Sequence, residues 1–174
     1  MAGLVGIASA HAEPRPLLVL WESNGWGAPA GPQPYGLRLV IYDDGEVISS
    51  PDGIEMASDG APHFLFSKKT PAEAIAAADS VKQQLAGLPK ELRGAEPATD
   101  MGWTTIQVQD SVSGQPERYD AYGLPCQAPN RDFKTADKLD AIQRLSMNAD
   151  FLKVCDALSL YDDADARPWA PSTM

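Results

Sequence analysis

Residues able to carry nucleophilic or metal chemistry are few. The 174-residue chain has two histidines and two cysteines: His11, His63, Cys126 and Cys155. A thiolate nucleophile needs a base to take its proton and a local field that lowers its pKa. Such a mechanism would have to pair Cys126 with His63, and Cys126 sits in Leu124-Pro125-Cys126 with no evident helix N-terminus beside it. A tetrahedral zinc site needs closely spaced ligand pairs, which His63 and two distant cysteines do not provide. Carboxylates are abundant, but a glycosidase-type acid/base pair is defined by separation in space, not along the chain. Asp43 and Asp44 are explained by a turn, and Asp162, Asp163 and Asp165 lack the glycine and terminal glutamate of a calcium loop. The glycines are scattered, with no phosphate-cradling motif, and the basic doublet Lys68-Lys69 reads as an exposed strand end. No cofactor and no metal are expected, and the reading leans away from an enzyme.

Charge narrows the partners. Twenty-four acids against fourteen Lys plus Arg give a net charge of -10, a field that repels nucleic-acid backbones and anionic lipid headgroups. An acidic surface serves solubility, and it equally suits a basic protein partner. The oligomeric state is left open.

Recognition chemistry is concentrated in WESNGWGAPAGPQPYG, residues 21–36. Connections this long are usually functional or mobile. Trp26, between Gly25 and Gly27, is free either to project into a partner or to fold back onto its own core. Trp and Tyr dominate interface energetics, yet a large ring also gains by covering apolar surface. The partner-binding candidates are Glu22, Asn24, Trp26 and Tyr35, whereas Trp21 closes a buried strand. Trp169, in Arg167-Pro168-Trp169-Ala170-Pro171, reads as an aromatic plug pinning an extended tail.

Compartment is read from the ends and from the cysteines. Residues 2–10 are apolar, and Ala10-His11-Ala12 precedes Glu13-Pro14 as in a signal peptide cleaved after Ala12, although nothing basic comes before it. The alternative is a short apolar segment of the fold. Residues 1–12 are thus expected as a signal-peptide remnant, 13–160 as a single α+β domain and 161–174 as an acidic, proline-containing tail. The expected location is periplasmic or secreted, with no membrane insertion after processing, since no other run approaches the length of a span. In an oxidising compartment, Cys126 and Cys155 can form one disulfide closing a loop of about 30 residues, worth roughly 3 to 4 kcal/mol in the chain-entropy model. Two buried thiols are the alternative.

The elements that would position these groups follow from periodicity. LLVLW, residues 17–21, is an apolar run suited to a strand buried on both faces. In YGLRLVIYDDGEVISS, Asp44-Gly45 marks a hairpin expected to lie centrally in its sheet. Reading it as a two-residue turn pairs Asp43 with Glu46, so that Leu39, Ile41 and Ile48 share one face and Val40, Tyr42 and Val47 the other. HFLFSKK is a further strand. Thr70-Pro71-Ala72-Glu73 has the form of a capping box with proline at the first helical position, followed by the stripe Ile75, Ala78, Val81, Leu85 and Leu88. A polar link, 90–100, leads to a second hairpin, TTIQVQD with PERYDAYG. Helical periodicity then covers Leu139, Ile142 and Leu145, and after Asp150 as cap, Phe151, Val154, Cys155 and Leu158. The class is α+β: an antiparallel sheet of about five or six strands with two principal helices on one face, in two hairpin-then-helix units.

At IYDDGEV, taken with TTIQV, the DAYG strand and the closing helix, the chain resembles small exported bacterial proteins classed as domains of unknown function. That resemblance implies an exported α+β domain, and no functional residue carries over from it. The functional expectation is an exported, non-catalytic protein-binding domain of inhibitor or immunity type. The alternatives are a small hydrolase using carboxylates or the Cys126/His63 pair, and a structural component of the cell envelope.

Overall fold

The computed structural model describes residues 13–23, 36–50, 64–93, 102–109, 114–123, 126, 149–159, 161 and 166–168. Among the described residues, eight strands and two helices follow one another: β1 (Pro16–Ser23), β2 (Leu37–Tyr42), β3 (Glu46–Ser49), β4 (Leu65–Lys68), α1 (Pro71–Leu85), β5 (Glu91–Arg93), β6 (Trp103–Gln109), β7 (Pro116–Tyr122), α2 (Ala149–Ser159) and β8 (Arg167–Pro168). They form one sheet in the order β5-β7-β6-β1-β2-β3-β4-β8. The class is α+β, as expected, with a larger sheet. Two edge strands account for the difference. β5 falls in what reads as a polar link, yet Leu92 is buried and pairs with Ala121 of β7 in the sheet's one parallel contact among the described residues. β8 comes from the acidic tail and pairs with β4, its Arg167 guanidinium lying 5.1 Å from the centre of the Phe66 ring.

β1 occupies the middle, antiparallel to β2 on one side and β6 on the other. Leu17 to Leu20 are all buried: Leu18 and Leu20 face the core cluster by alternation, an irregularity in the ladder turns Leu17 to the same side, and Val19, on the opposite face, lies between Val40 of β2 and Gln107 of β6. The β2–β3 hairpin is also interior, but its register differs from the two-residue reading. Gly45 N–H donates to Tyr42 O at 3.0 Å, and Ile41 pairs with Val47 and Val40 with Ile48. The loop is therefore Asp43-Asp44-Gly45, with Gly45 at φ 91°, a turn that ends in a left-handed glycine. One extra loop residue slips the strand by one and exchanges the faces. Val47 joins Leu39 and Ile41 in the core cluster, whereas Ile48 shares the opposite face with Val40. Asp44 itself stabilises the longer turn, because its carboxylate accepts from Glu46 N–H and from Lys68 Nζ, each at 3.0 Å.

Helix α1 starts as its sequence dictates. Glu73 N–H donates to Thr70 Oγ1 at 3.3 Å, and Glu73 Oε2 accepts from Thr70 N–H at 2.8 Å. Its buried stripe is Ala74, Ala77, Ala78, Val81 and Leu85, and Ile75 is exposed. The stripe is centred one residue earlier than expected, and alanines let the helix approach both the sheet and α2. In α2, Phe151, Val154, Cys155 and Leu158 are buried as expected, closing the core over Leu18, Leu20, Ile41 and Ile106. Asp150 lies inside the first turn and not at the cap, accepting from Lys153 Nζ at 2.7 Å. The helical periodicity at 139–145 lies outside the described residues, as do residues 1–12 and Trp169.

Gly45 and Gly114 both have positive φ, but a Cβ on Gly45 would collide with Lys69 O, whereas nothing lies within 4 Å of one on Gly114. Gly45→Ala should therefore cost about 2 to 4 kcal/mol in urea unfolding and Gly114→Ala about 1 kcal/mol. Equal costs would show that the contact with Lys69 is unimportant.

Acid should destabilise the domain. Burial alone would raise the Asp44 carboxyl, but the Glu46 N–H and Lys68 hold it below its ordinary value. Thr70 N–H and hydroxyl lower Glu73, and Lys90 lowers Glu117. For each, the folded value lies below the unfolded one, so the stability it contributes is full above the ordinary carboxylate range near 4 and disappears as pH falls through the lowered values. The Tm should be nearly flat above about pH 5 and fall below about pH 4, and Glu73→Gln should make the fall shallower.

Candidate functional site

The two charged residues buried among the described residues, Glu22 and Arg38, meet where β1 and β2 flank residues 24–35. Alternation along β1 places Leu18, Leu20 and Glu22 on the core face, and Glu22 is 8% exposed. A carboxylate there requires a charged or hydrogen-bonding partner, and β2 supplies one through an irregularity. Leu20 pairs with Leu39 but Trp21 with Leu37, so Arg38 is an extra residue bulged out of the ladder. Regular alternation would put Arg38 on the same face as Val40. The bulge re-aims it, bringing Arg38 Nε to 3.3 Å from Glu22 Oε2 with its side chain 3% exposed. A second bulge, at Leu17 on β1, likewise turns an extra side chain into the core.

The other Glu22 oxygen, Oε1, accepts the Cys126 N–H at 2.7 Å. Cys126 is disulfide-bonded to Cys155 of α2, so one carboxylate links two strands to a covalent tie on the helix layer. Gly36 completes the arrangement: a Cβ there would lie 2.7 Å from Glu22 O, so the chain re-enters β2 against the β1 backbone where only glycine fits. Arg38 O then accepts Ser50 N–H at 2.8 Å, extending the order to the end of β3. Between Arg38, Leu20, Ser159 and the disulfide is a partly open hollow of about 30 Å³. It has room for water and is far below the several hundred Å³ of an ordinary ligand pocket.

The sequence candidates are thus separated. Glu22 is turned inward and paired with Arg38 at the strand end that precedes residues 24–35. Asn24, Trp26 and Tyr35 lie outside the described residues, as does His63. Cys126 has its sulfur in a disulfide, which removes the thiol that a Cys126/His63 pair would require while the bond is intact. No group of three or more potential metal ligands clusters among the described residues. Sequence reasoning missed Arg38. A hint existed for its partner, since a glutamate two positions beyond Leu20 on a buried strand demands a counter-charge, but the bulge that delivers Arg38 has no local signature.

Removing one member of a buried ion pair leaves the other charge desolvated. Glu22→Ala should cost about 3 to 5 kcal/mol in urea unfolding. Glu22→Gln, which keeps an acceptor for Cys126 N–H, should cost about 1 to 3 kcal/mol. Combining Glu22→Gln with Arg38→Met should recover part of the loss, and strictly additive costs would show that the two residues act independently.

Neither a protein-family model, nor a curated protein, nor a solved structure matches the chain, so the hairpin resemblance assigns no family.

Proposed function

We propose that the protein is an exported, non-catalytic protein-binding domain of the inhibitor or immunity type, presenting residues 24–35 to a protein partner. The observation that carries this reading is the built base of that segment. Glu22 and Arg38 form a buried ion pair at the two strand ends that flank it, Gly36 packs against Glu22 O, and the disulfide fastens the same point to α2. A binding segment on a fixed base loses less freedom on association than one on a slack base, which favours affinity. Within the segment, Trp26 and Tyr35 are the types that dominate interfaces, and Asn24 adds a polar contact. The net charge of -10 suits a basic protein partner.

One observation supports export to a periplasmic or secreted location: the disulfide fits an oxidising compartment. No helix among the described residues is long and apolar enough to cross a membrane.

Replacing Trp26 by Ala should leave the Tm within a few degrees of the parent and weaken capture of a partner from native envelope extract by about tenfold or more. A large drop in Tm with partner capture unchanged would make Trp26 a packing residue and remove the segment from the binding surface.

A further inference from the structure

The two ends of the disulfide are unlike. Cys155 is 3% exposed, on the helical face that also buries Val154 and Leu158, whereas Cys126 is only partly buried and packs at the margin of the core. Both cysteines border the partly open hollow, together with Arg38. We propose that this bond is a reversible thiol-exchanging joint, opened by attack on Cys126, whose state sets how firmly the base of residues 24–35 is held. The inference stands apart from the binding reading, since it concerns only the anchor.

Access decides which sulfur is attacked, and the leaving sulfur must be able to hold negative charge. A thiolate of an external dithiol attacks Cys126 Sγ. The protein S–S bond breaks, and its electron pair leaves on Cys155 Sγ. Arg38, which borders the same hollow, places a cation near that departing thiolate, although its charge is shared with Glu22. The second thiol of the reagent then gives up its proton and attacks the reagent sulfur of the mixed disulfide, displacing Cys126 as a thiolate. The two protons lost by the dithiol end on the two cysteines. The protein cystine thereby gains two electrons and two protons, and the dithiol becomes a disulfide.

Opening the joint has a local consequence. The Cys126 backbone N–H is held by Glu22 Oε1 at 2.7 Å. With the sulfur bridge gone, that hydrogen bond must hold residue 126 against the sheet without covalent support, whereas the ladders around β1 are untouched because none of their bonds involves either cysteine.

The test treats the folded, oxidised protein with reduced glutathione, a monothiol that traps the mixed disulfide, and separately with dithiothreitol. Peptide mapping after alkylation should place glutathione on Cys126 and a free thiol on Cys155. Dithiothreitol-reduced protein should retain its far-UV circular dichroism, with the Cys126 amide exchanging hydrogen about tenfold or more faster and the amides of Leu18 to Leu20 unchanged. Reoxidation should restore the slow exchange. Any of four results would overturn the proposal: glutathione on Cys155, reduction no faster than global unfolding, loss of the fold on reduction, or unchanged exchange at Cys126.

Discussion

The pairing of β1 on both edges is the constraint from which the remaining architecture follows. The β2–β3 hairpin and the β6–β7 hairpin make no ladder with each other. Each pairs with its own partner and, through one strand, with β1. Without β1 the sheet is two separate ribbons, and neither ribbon offers α1 and α2 a continuous apolar floor. The seam joins residues far apart in sequence: Trp103 N–H reaches Ser23 Oγ across 80 positions. Closing so large a loop is entropically costly before native contacts reward it. An apolar run at Leu17 to Leu20, buried on both faces, supplies a strong local reward where the closure is made.

The same strand carries the polar anchor. Leu18 and Leu20 tie β1 to the helix layer, and two residues later the same alternation delivers Glu22 into a place where a charge is tolerated only if answered. Arg38 and the Cys126 N–H answer it, and the disulfide makes the second of those contacts durable. Core packing, a buried ion pair and a covalent tie thus converge at the two strand ends that flank residues 24–35. Under the proposed protein-binding reading, such a base would limit the freedom that residues 24–35 lose on association.

Local chemistry was legible at several places where one interaction involved near neighbours. The capping box at Thr70 and Glu73 is readable because its donors and acceptors are three residues apart. The stripe of Phe151, Val154, Cys155 and Leu158 is readable because one helical face is its cause. The second hairpin forms as the alternation in TTIQVQD and PERYDAYG predicts. Ile75 shows the limit: periodicity admits several stripes one residue apart, and contact with the sheet and α2 selects the one through Ala74, Ala77 and Ala78.

What the sequence by itself determined was the α+β class, the identity of most strands and both described helices, and the availability of two cysteines for one bond. Tertiary structure alone decided which faces of the β2–β3 hairpin turn to the core and which distant groups meet. The β2–β3 register turned on whether Asp44-Gly45 closes a two- or a three-residue loop, a choice coupled to Lys68 on the next strand. Arg38 reached Glu22 only through a bulge, and Leu92 became a strand only because Ala121 lay beside it. The physical reason is common to all three. Periodicity and capping energies act between neighbours and are written locally, whereas bulges, edge pairing and buried ion pairs gain their free energy from partners that the chain brings near only after it has folded.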